Sequence, residues 1–341
     1  MNGREAAAHL RAWMAQGRLD LPRPGRGLTP ERFRALASLT REDVALGRLG
    51  EAHTDAVSIL AEAGRSAERH ALYGVWAADF PGSRITATPR QAGWRLEGVR
   101  HWCSGAGSLD LALVTATGPD GPLLFTLPLQ TPGLTFDPAS WRTPALADTT
   151  TWTVELHQVD LASDRIVGGV GFYTERPGFW QGSVGVAAAW AGGALGLLDD
   201  FDAAVLSGLK GQTGHAEPDG HRLAHLGAVH AACYGAMAAI ETAAREIDAD
   251  PGDAAGAGYR RALMVRQLVE RAATEVIDRC ARGLGPAPLA LDAGHARRVA
   301  DLQLYVRQHH AEADLEAIAR TSLAATSDDP AAAPHEPPTR Q

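Results

Sequence analysis

The succession of residue types along the chain predicts a multi-domain α+β fold: a short N-terminal helical part, a central antiparallel β-barrel-like domain and a C-terminal four-helix bundle. Residues 1–72 are rich in Ala, Leu, Arg and Glu, which favour helices. Residues 73–167 contain short Val- and Thr-rich runs separated by Gly, Pro and Asp, as in β-sheet proteins. Residues 168–325 show apolar positions at helical spacing, and residues 326–341 form a Pro-rich tail that we expect to be disordered.

One long helix is expected in the N-terminal part, from Thr40 to Ala71. Thr40 together with Asp43 resembles an N-cap, and apolar residues then recur at nearly helical steps. Those apolar residues are Leu46, Leu49, Ala52, Val57, Leu60 and Ala63. A helix with this spacing presents one apolar face, which is typical of a helix that packs on a core.

Two hairpins and a strand are expected in the central domain. Glu97-Gly98 lies between two short apolar runs and predicts one tight turn. Residues 117–121, TGPDG, predict the turn of a second hairpin. Residues 149–159 alternate with a period of two, which predicts a further strand. Several short strands within fewer than 100 residues favour a barrel or a sandwich.

Four helices are expected after residue 171. Residues 182–198 are apolar, dominated by Gly and Ala, and predict a buried helix rather than a membrane span. Two apolar stripes follow, interrupted at residues 250–253 and ended by residues 283–286. The stripes are Leu226, Val229, Cys233, Met237 and Ile240, and then Ala262, Val265, Val269, Ala272, Val276 and Cys280. The last helix is expected to run from about His295 to Leu323.

Composition excludes several classes of partner and site. The net charge of −8 and the pI near 5.9 argue against binding to nucleic acid or to an anionic membrane. The three cysteines form no C-x-x-C pair, which favours a reducing compartment and gives no zinc signal. The N-terminus has no apolar secretory segment, so we expect a cytoplasmic protein.

A spaced motif runs through residues 74–107 of the central domain. After a segment that ends in Gly-Ser, it consists of Gly93, Leu96, Gly98, Arg100, Trp102 and Ser104. This pattern resembles the acyl-CoA dehydrogenase family, whose members carry Gly-x-x-Leu-x-Gly-x-Lys-x-Trp-x-Thr after such a segment; here Ser104 takes the place of the usual Thr. The strand at 149–159 and the last helix also resemble the family, so the likeness spans most of residues 40–325.

The resemblance implies a bound flavin adenine dinucleotide (FAD). It places Trp102 against the flavin ring and the Ser104 hydroxyl near the N5 edge, while Ser83 lies near the pyrophosphate. The backbone of Trp76, Ala77 and Ala78 is implied to pass the ring. Gly283 and Gly285 are what remains of the family's glycine-rich loop. An aromatic wall and a few hydrogen-bond donors suit a flat amphipathic ring, although ordinary core packing would also explain Trp102 and Ser104.

Two family features are absent. The Arg-x-x-Phe-Gly segment, which reaches a neighbouring subunit's cofactor, is replaced by residues 208–220, GLKGQTGHAEPDG, where Lys210 is at best a substitute. The catalytic Glu-Gly-Thr of the last helix is missing as well. Its position falls on or beside His309 and His310, and Glu312 follows. A carboxylate is the usual base for α-proton abstraction from an acyl thioester.

The catalytic candidates are therefore His309, His310 and Glu312, but other interpretations of this stretch stay open. With Asp314, their spacing is also compatible with a polar helix face or a metal site. We expect no metal, because adjacent helical residues point about 100° apart. Histidine at this place resembles flavin monooxygenases of the same fold, in which it would assist the reaction of reduced flavin with oxygen.

The resemblance implies an FAD-dependent oxidoreductase that carries out α,β-dehydrogenation of an acyl-CoA or another small molecule, with an unidentified electron acceptor. The histidines favour an alternative, a flavin-dependent monooxygenase or oxidase. The missing glutamate and the missing Arg-x-x-Phe-Gly favour a second alternative, a family member that keeps the fold without catalysis. The family's bundle packing also implies a homodimer or homotetramer.

Overall fold

A computed structural model describes residues 3–78, 80–210 and 219–324, without the side chains of residues 208–210. Contacts between residues divide this part of the chain into two compact units. The first unit comprises residues 3–21 and 48–179, and the second comprises residues 22–47 and 180–324. The β-sheet belongs to the first unit, and most of the long helices belong to the second.

The described residues form ten α-helices and eight strands. The helices are α1 (Gly3–Ala15), α2 (Thr29–Glu42), α3 (Val44–Glu62), α4 (Phe172–Glu175), α5 (Gly178–Lys210), α6 (Gly220–Ala249), α7 (Gly258–Leu284), α8 (Pro286–Leu291), α9 (Ala293–Tyr305) and α10 (Glu312–Ala324). The strands are β1 (Tyr73–Trp76), β2 (Arg84–Arg90), β3 (Gly93–Cys103), β4 (Leu111–Gly118), β5 (Gly121–Pro128), β6 (Leu134–Asp137), β7 (Trp152–Ala162) and β8 (Ile166–Val167). The order of helices, strands and helices agrees with the predicted α+β class.

The sheet is mixed and open, which corrects the expectation of a wholly antiparallel, barrel-like domain. Its strands are ordered β6-β7-β3-β2-β4-β5-β8, so the described path has two ends. Strand β1 joins β4 in parallel, with Tyr73 opposite Leu111, and β2 touches β4 in parallel at Thr86. The β2–β3 hairpin separates β1 from β4 in sequence, and this excursion lets the chain return to β4 in the same direction.

The second predicted hairpin is confirmed. Strands β4 and β5 pair from Leu111 opposite Pro128 to Gly118 opposite Gly121, which leaves a two-residue turn within the TGPDG segment. The strand expected at residues 149–159 begins later, at Trp152, and ends at Ala162. Thr149 ends a short 3₁₀ turn, and residues 150–151 connect this turn to the strand.

The hairpin predicted at Glu97-Gly98 is wrong. Strand β3 continues through these residues, and the turn lies between Arg90 and Gly93 instead. Gly98 has φ +136°, and a Cβ at this position would collide with the carbonyl of Arg84 on the neighbouring strand. The glycine therefore permits close approach of two strands at a bulge, a role that resembles a turn signal in the sequence.

The helix predicted from Thr40 to Ala71 is also wrong in its limits. Thr40 lies inside α2, and α3 begins at Val44 and ends at Glu62. Asp43, with an extended backbone, separates the two helices, and its carboxylate accepts the Leu46 N–H at 2.9 Å. Asp43 is thus the true cap instead of Thr40, and α3 ends well before the predicted Ala71.

The first unit has an apolar core between α3 and the sheet. Its fully buried members are Ala56, Ile59, Leu60, Tyr73, Leu111, Leu113, Leu124 and Val167. The side chains come from the face of α3 spaced at three and four residues and from alternate positions on β4. This packing fixes β4 and the neighbouring β1, which ends at the predicted residue Trp76.

In the second unit, the predicted helical boundaries at residues 250–253 and 283–286 are confirmed. Helix α6 ends at Ala249 and α7 begins at Gly258, while α7 ends before Gly285, whose φ is +72°. The apolar stretch 182–198 lies inside α5 and is largely buried, as predicted. At Gly192 a Cβ would collide with the carbonyl of Ala37, so small residues let α5 and α2 pack closely.

The last predicted helix, from His295 to Leu323, is two helices rather than one. Helix α9 ends at Tyr305, a short 3₁₀ turn follows, and α10 begins at Glu312. Residues 309–311, which we term the helix break, connect the 3₁₀ turn to α10; His309 has an extended backbone and Ala311 has φ +49°. The physical reason lies in the hydrogen bonds made by the side chains of this segment, described below.

Candidate functional site

Trp102 marks the point where strand β3 stops being regular. The register of β3 against β7 shifts between Arg100 and Cys103, so the two residues between them stand opposite one residue of β7. Such a bulge bends the strand and redirects a side chain. Trp102 has φ +57°, a backbone conformation that costs a residue other than glycine about 1 kcal/mol or more. Its indole is 52% exposed, which is unusual for a large aromatic residue.

The exposed indole belongs to a small aromatic cluster. The ring of Phe80 lies 4.6 Å from that of Trp102, and it also makes an edge contact with His101 at 5.2 Å. His101 in turn has Nδ1 3.0 Å from the Thr153 hydroxyl of β7. The bulge therefore presents one aromatic surface supported by a second ring, which is the kind of wall that a flat ligand requires. Phe80 was not singled out from the sequence.

Ser104 is held through both its backbone and its hydroxyl. Its carbonyl accepts the indole N–H of Trp76 at 2.9 Å, and Trp76 is almost fully buried. Its Oγ accepts the Thr151 hydroxyl at 3.0 Å, and the Thr149 hydroxyl lies 2.7 Å from that of Thr151. Because Thr151 donates to Ser104, the proton of the Ser104 hydroxyl is left for another acceptor. Trp76 thus holds the backbone of Ser104 in place, and its buried ring offers no surface to a ligand.

Hydrogen bonds bring two further predicted residues to the same end of β3. The Arg100 guanidinium donates to the carbonyl of Ala78 at 3.0 Å, and the N–H of His101 donates to Ser83 Oγ at 3.2 Å. Ala77 is half-buried beside them. The first unit therefore gathers the predicted cofactor residues of the β-domain. The Ala78 carbonyl, however, already accepts a hydrogen bond within the protein, whereas the Ser83 hydroxyl acts as an acceptor in its bond with His101 and can still donate its proton.

His309 occupies the helix break in the second unit, with its side chain only 3% exposed. The N–H of Ala311 donates to His309 Nδ1 at 3.0 Å. In the neutral ring, the proton must then be on Nε2. Nε2 is buried and makes no hydrogen bond with the described residues, and the carboxylate of Asp314 lies 3.5 Å away. A buried donor without an acceptor is rare in folded proteins and is found at functional sites.

Asp314 links the break to the start of α10. Its Oδ2 accepts the N–H of His310 at 3.0 Å, and its Oδ1 lies 3.3 Å from His310 Nδ1. The His310 side chain is 53% exposed, whereas Glu312 is exposed in the first turn of α10. Of the three predicted catalytic residues, only His309 is enclosed by protein, and Asp314 is the carboxylate that the structure places next to it.

Arg266 of α7 anchors the residue before the break. Its Nη2 donates to the carbonyl of Gln308 at 2.7 Å, and its guanidinium lies 4.5 Å from the centre of the Trp190 ring. Trp190 is fully buried, and its Nε1 makes no hydrogen bond among the described residues. Tyr305 meets Trp190 edge-on at 6.2 Å. The surroundings of His309 thus contain a second buried N–H donor without an acceptor.

Burial and charge determine the protonation of these groups. Burial lowers the pKa of His309; Asp314 opposes this shift, and Arg266 adds to it. Burial would raise the pKa of the Asp314 carboxyl, but hydrogen bonds from His310 outweigh it, and the pKa lies below its ordinary value. At neutral pH the break therefore holds a neutral imidazole beside an ionised carboxylate.

Gly283 and Gly285 have structural explanations in the described residues. A Cβ at Gly283 would collide with the ring of Phe201, and Gly285 ends α7 with a positive φ. Residues 211–218, which include most of the segment that replaces Arg-x-x-Phe-Gly, lie outside the described residues, as does the side chain of Lys210. Reasoning from the sequence missed three residues that contact the predicted ones. Thr149 and Thr151 belong to a run of three threonines beside Ser104, and Arg266 binds the carbonyl before the helix break.

No family model and no curated protein matches the chain. Solved structures match it over almost its whole length. The dibenzothiophene monooxygenase TdsC from Paenibacillus sp. A11-2, in complex with FMN and indole, is 17% identical with a TM-score of 0.75, covering 94% of this chain and 96% of that chain. The methanesulfinate monooxygenase MsuC from Pseudomonas fluorescens is 14% identical with a TM-score of 0.75, covering 96% and 97%. The 3-HSA hydroxylase from Rhodococcus sp. RHA1 is 14% identical with a TM-score of 0.75, covering 93% and 89%.

At identities this low the likeness shows the fold. The chain has the acyl-CoA dehydrogenase-like α+β fold that these oxygen-inserting enzymes share, which confirms the broad fold family expected from residues 74–107. What the chain binds and catalyses must be argued from its own residues.

Proposed function

We propose that the chain is a flavin-dependent monooxygenase that uses reduced flavin mononucleotide (FMN) and oxygen to oxidise a small organic molecule. The observation that carries the proposal is the buried, neutral His309, at the place where the acyl-CoA dehydrogenase resemblance expects a catalytic glutamate. Its Nε2–H makes no hydrogen bond within the part of the chain that the structure describes. An imidazole with one free N–H can donate or hold a proton during oxygen chemistry near neutral pH.

The carboxylates near the break fit dehydrogenation poorly. A base that removes an α-proton needs a raised pKa, but the pKa of Asp314 is lowered because His310 donates to it. Glu312 is exposed in the first turn of α10, so water screens it. Neither carboxylate of the break therefore suits the dehydrogenase function expected from the family, whereas the monooxygenase function needs none there.

The residues of the first unit fit a flavin in two respects: Trp102 offers an exposed indole supported by Phe80, and the Ser104 hydroxyl proton is left for a ligand. In the second unit, taken by itself, His309 holds a proton on a buried nitrogen. A reduced flavin would supply two electrons, so that one oxygen atom enters the substrate and the other leaves as water. In this proposal Trp102 packs on the ring, Ser104 donates to its polar edge and His309 keeps a proton available.

We propose FMN rather than FAD as the cofactor. The Arg-x-x-Phe-Gly segment, which in the family reaches the cofactor of a neighbouring subunit, is missing from this sequence. The two glycines that remain of the family's glycine-rich loop are explained by packing and by the end of α7. TdsC, which shares the fold, was solved with FMN. If the adenylate half of FAD finds no partner, FMN should bind at least as tightly in calorimetric titrations.

The proposed function is tested by flavin spectroscopy with an oxygen assay. Protein loaded with FMN is photoreduced without oxygen, mixed with ¹⁸O₂-labelled buffer and indole as a probe substrate, and the products are analysed by mass spectrometry. We expect rapid flavin reoxidation and one labelled oxygen atom in the product. Anaerobic bleaching of the oxidised flavin by octanoyl-CoA would instead establish the dehydrogenase. Failure to bind either flavin would leave a non-catalytic protein.

We also propose that the chain forms a homo-oligomer through α6. Residues 223–240 of α6 contain no Asp, Glu, Lys or Arg, although only 22% of its most apolar stretch is buried within the chain. Tyr234 on this helix is 80% exposed. An uncharged, exposed face of this length is typical of a surface that packs on a second copy. Light scattering after gel filtration should show a dimer or larger assembly, and Tyr234→Glu should weaken it.

A further inference from the structure

The carboxylate of Asp314 touches three parts of the helix break at once. Its Oδ2 accepts the His310 N–H at 3.0 Å, its Oδ1 lies 3.3 Å from His310 Nδ1, and Oδ2 lies 3.5 Å from His309 Nε2. Asp314 is itself buried, and it stands in the first turn of α10, where a negative charge also favours the helix dipole. One side chain therefore ends the break, begins α10 and faces the candidate catalytic ring.

The opposite edge of the His309 ring is fixed by the backbone. The Ala311 N–H donates to Nδ1 at 3.0 Å, so Nδ1 of the neutral ring carries no proton. The chain turns at Ala311 with φ +49°, a conformation that is unfavourable for alanine by about 1 kcal/mol or more. Two hydrogen bonds span this residue: the Asp314 carboxylate accepts the His310 N–H at 3.0 Å, and the Ala313 N–H donates to the His310 carbonyl at 3.2 Å.

We propose that Asp314 is a positioning residue, which holds the helix break closed and keeps His309 in the tautomer with its proton on Nε2. In this arrangement Nδ1 is occupied by the Ala311 N–H, and the Nε2–H is attracted to the facing carboxylate without being tied to it by a short bond. The inference rests on the proposed function for its catalytic meaning, because the proton it orients is the one that we assign to oxygen chemistry.

The charged groups around His309 make the expectation specific. Asp314 of α10 and Glu270 of α7 raise the His309 pKa, whereas Arg266 of α7 and His310 within the break lower it. Replacing Asp314 by a neutral residue removes a raising contribution. The His309 pKa should therefore fall, and the ring should stay neutral to a lower pH than in the wild type. In Asp314→Asn the amide N–H₂ can also face Nε2, which disfavours a proton there.

The inference is tested by ¹⁵N-detected histidine spectra of the full chain without flavin, recorded across pH. In the wild type at pH 7 we expect His309 to be protonated on Nε2 only. Asp314→Asn should lower its pKa and introduce the Nδ1–H tautomer, while Glu312→Gln, which removes an exposed carboxylate two residues away, should change neither. A wild-type ring protonated on Nδ1 would overturn the inference even if Asp314→Asn failed to fold.

Oxygen assays separate this inference from the proposed function. Suppose that the tautomer and pKa of His309 respond to Asp314→Asn, but the wild-type protein neither binds FMN nor reacts with oxygen. The positioning role of Asp314 would then be supported, and the proposed monooxygenase function would be refuted. If wild-type activity is present, Asp314→Asn should slow product formation about tenfold, with FMN affinity unchanged. An unchanged His309 pKa and tautomer in folded Asp314→Asn would overturn the positioning role whatever the activity.

Discussion

The bulge at the end of β3 and the helix break before α10 share a backbone feature, but one exposes a side chain and the other buries one. Each interrupts a regular element at a residue with a positive φ that is not glycine, Trp102 in the first case and Ala311 in the second. The bulge turns its aromatic side chain outward, whereas the break encloses His309 beside an ionised carboxylate. Backbone strain thus produces an exposed wall in one unit and a buried proton donor in the other.

The two sites differ in the groups that hold them. The hydrogen bonds of Ser104 at the bulge connect hydroxyl, carbonyl and indole groups, which keep their protonation across the physiological range. The break instead holds His309 beside Asp314, and the pKa of each is shifted from its ordinary value. We therefore expect the bulge to determine flavin affinity and the break to determine the reaction and its pH dependence.

The largest expected effect is at His309. His309→Gln removes the imidazole proton while retaining a polar side chain, and product formation should fall by about 10²- to 10⁴-fold. FMN affinity should change little, because the wall and the Ser104 hydroxyl remain. The matched control is His310→Gln, whose side chain is half-exposed and should cost far less. Equal losses at the two adjacent histidines would remove the distinction on which the proposed function depends.

Buried histidine alone should not confer catalysis, and His53 of the first unit tests this. Its Nδ1 accepts the Tyr73 N–H at 3.2 Å, and burial lowers its pKa to about 4. The unfolded chain takes up this proton near pH 6.5, so between about pH 6.5 and 4 the unfolded state binds more protons and stability falls as pH falls. The loss is about 3 kcal/mol in total.

His53→Gln should remove this part of the pH dependence. Its amide oxygen can still accept the Tyr73 N–H, and it carries no titrating group. Urea unfolding of wild type and variant at pH 7 and pH 4.5 would measure the difference, with the exposed His157→Gln as control. Oxygen-dependent activity at pH 7 should be unchanged in His53→Gln. A large activity loss there would show that the two units do not divide their roles in this way.

The family resemblance singled out residues of both sites, but the sequence predicted neither the bulge nor the break. The resemblance over Gly93 to Ser104 named residues that the structure gathers at the end of β3. The break looked helical, since nothing in the spacing of residues 295–323 shows that Asp314 bonds backward to the His310 N–H. The same reason misplaced the start of α3: a carboxylate that caps a helix does not disturb the apolar period.

Gly98 shows a second limit of prediction from local sequence. Its glycine predicted a turn, but in the structure it lets β3 approach Arg84 of the neighbouring strand β2. This role depends on a partner that is distant in sequence. The parallel pairing of β1 with β4 was likewise beyond local patterns, because strand direction is set by the path of the whole sheet. The predicted order of helices and strands agrees with the structure, whereas the predicted barrel-like closure of the sheet was wrong.

At the bulge, Trp102→Ala should weaken FMN binding by about tenfold, since an aromatic contact is worth about 1 kcal/mol beyond its area. Trp102→Gly should weaken it equally, yet the glycine variant should be more stable than the alanine variant by about 1 kcal/mol. Only glycine adopts φ +57° without strain. Calorimetric FMN titration and thermal unfolding of the two variants would measure both effects, and equal stability would mean that the bulge carries no backbone strain.

The smallest expected effect concerns the orientation of the Ser104 hydroxyl. Thr151→Val removes the donor to Ser104 Oγ but keeps the shape of the side chain, whereas Ser104→Ala removes the hydroxyl that we assign to the flavin. Each should raise the FMN dissociation constant by a few-fold to about tenfold, since one hydrogen bond contributes about 1 kcal/mol. The two losses should not add in the double variant, because Thr151 acts only through Ser104. If they add, Thr151 contributes to binding by another route, and the hydroxyl chain does not set the direction in which Ser104 donates.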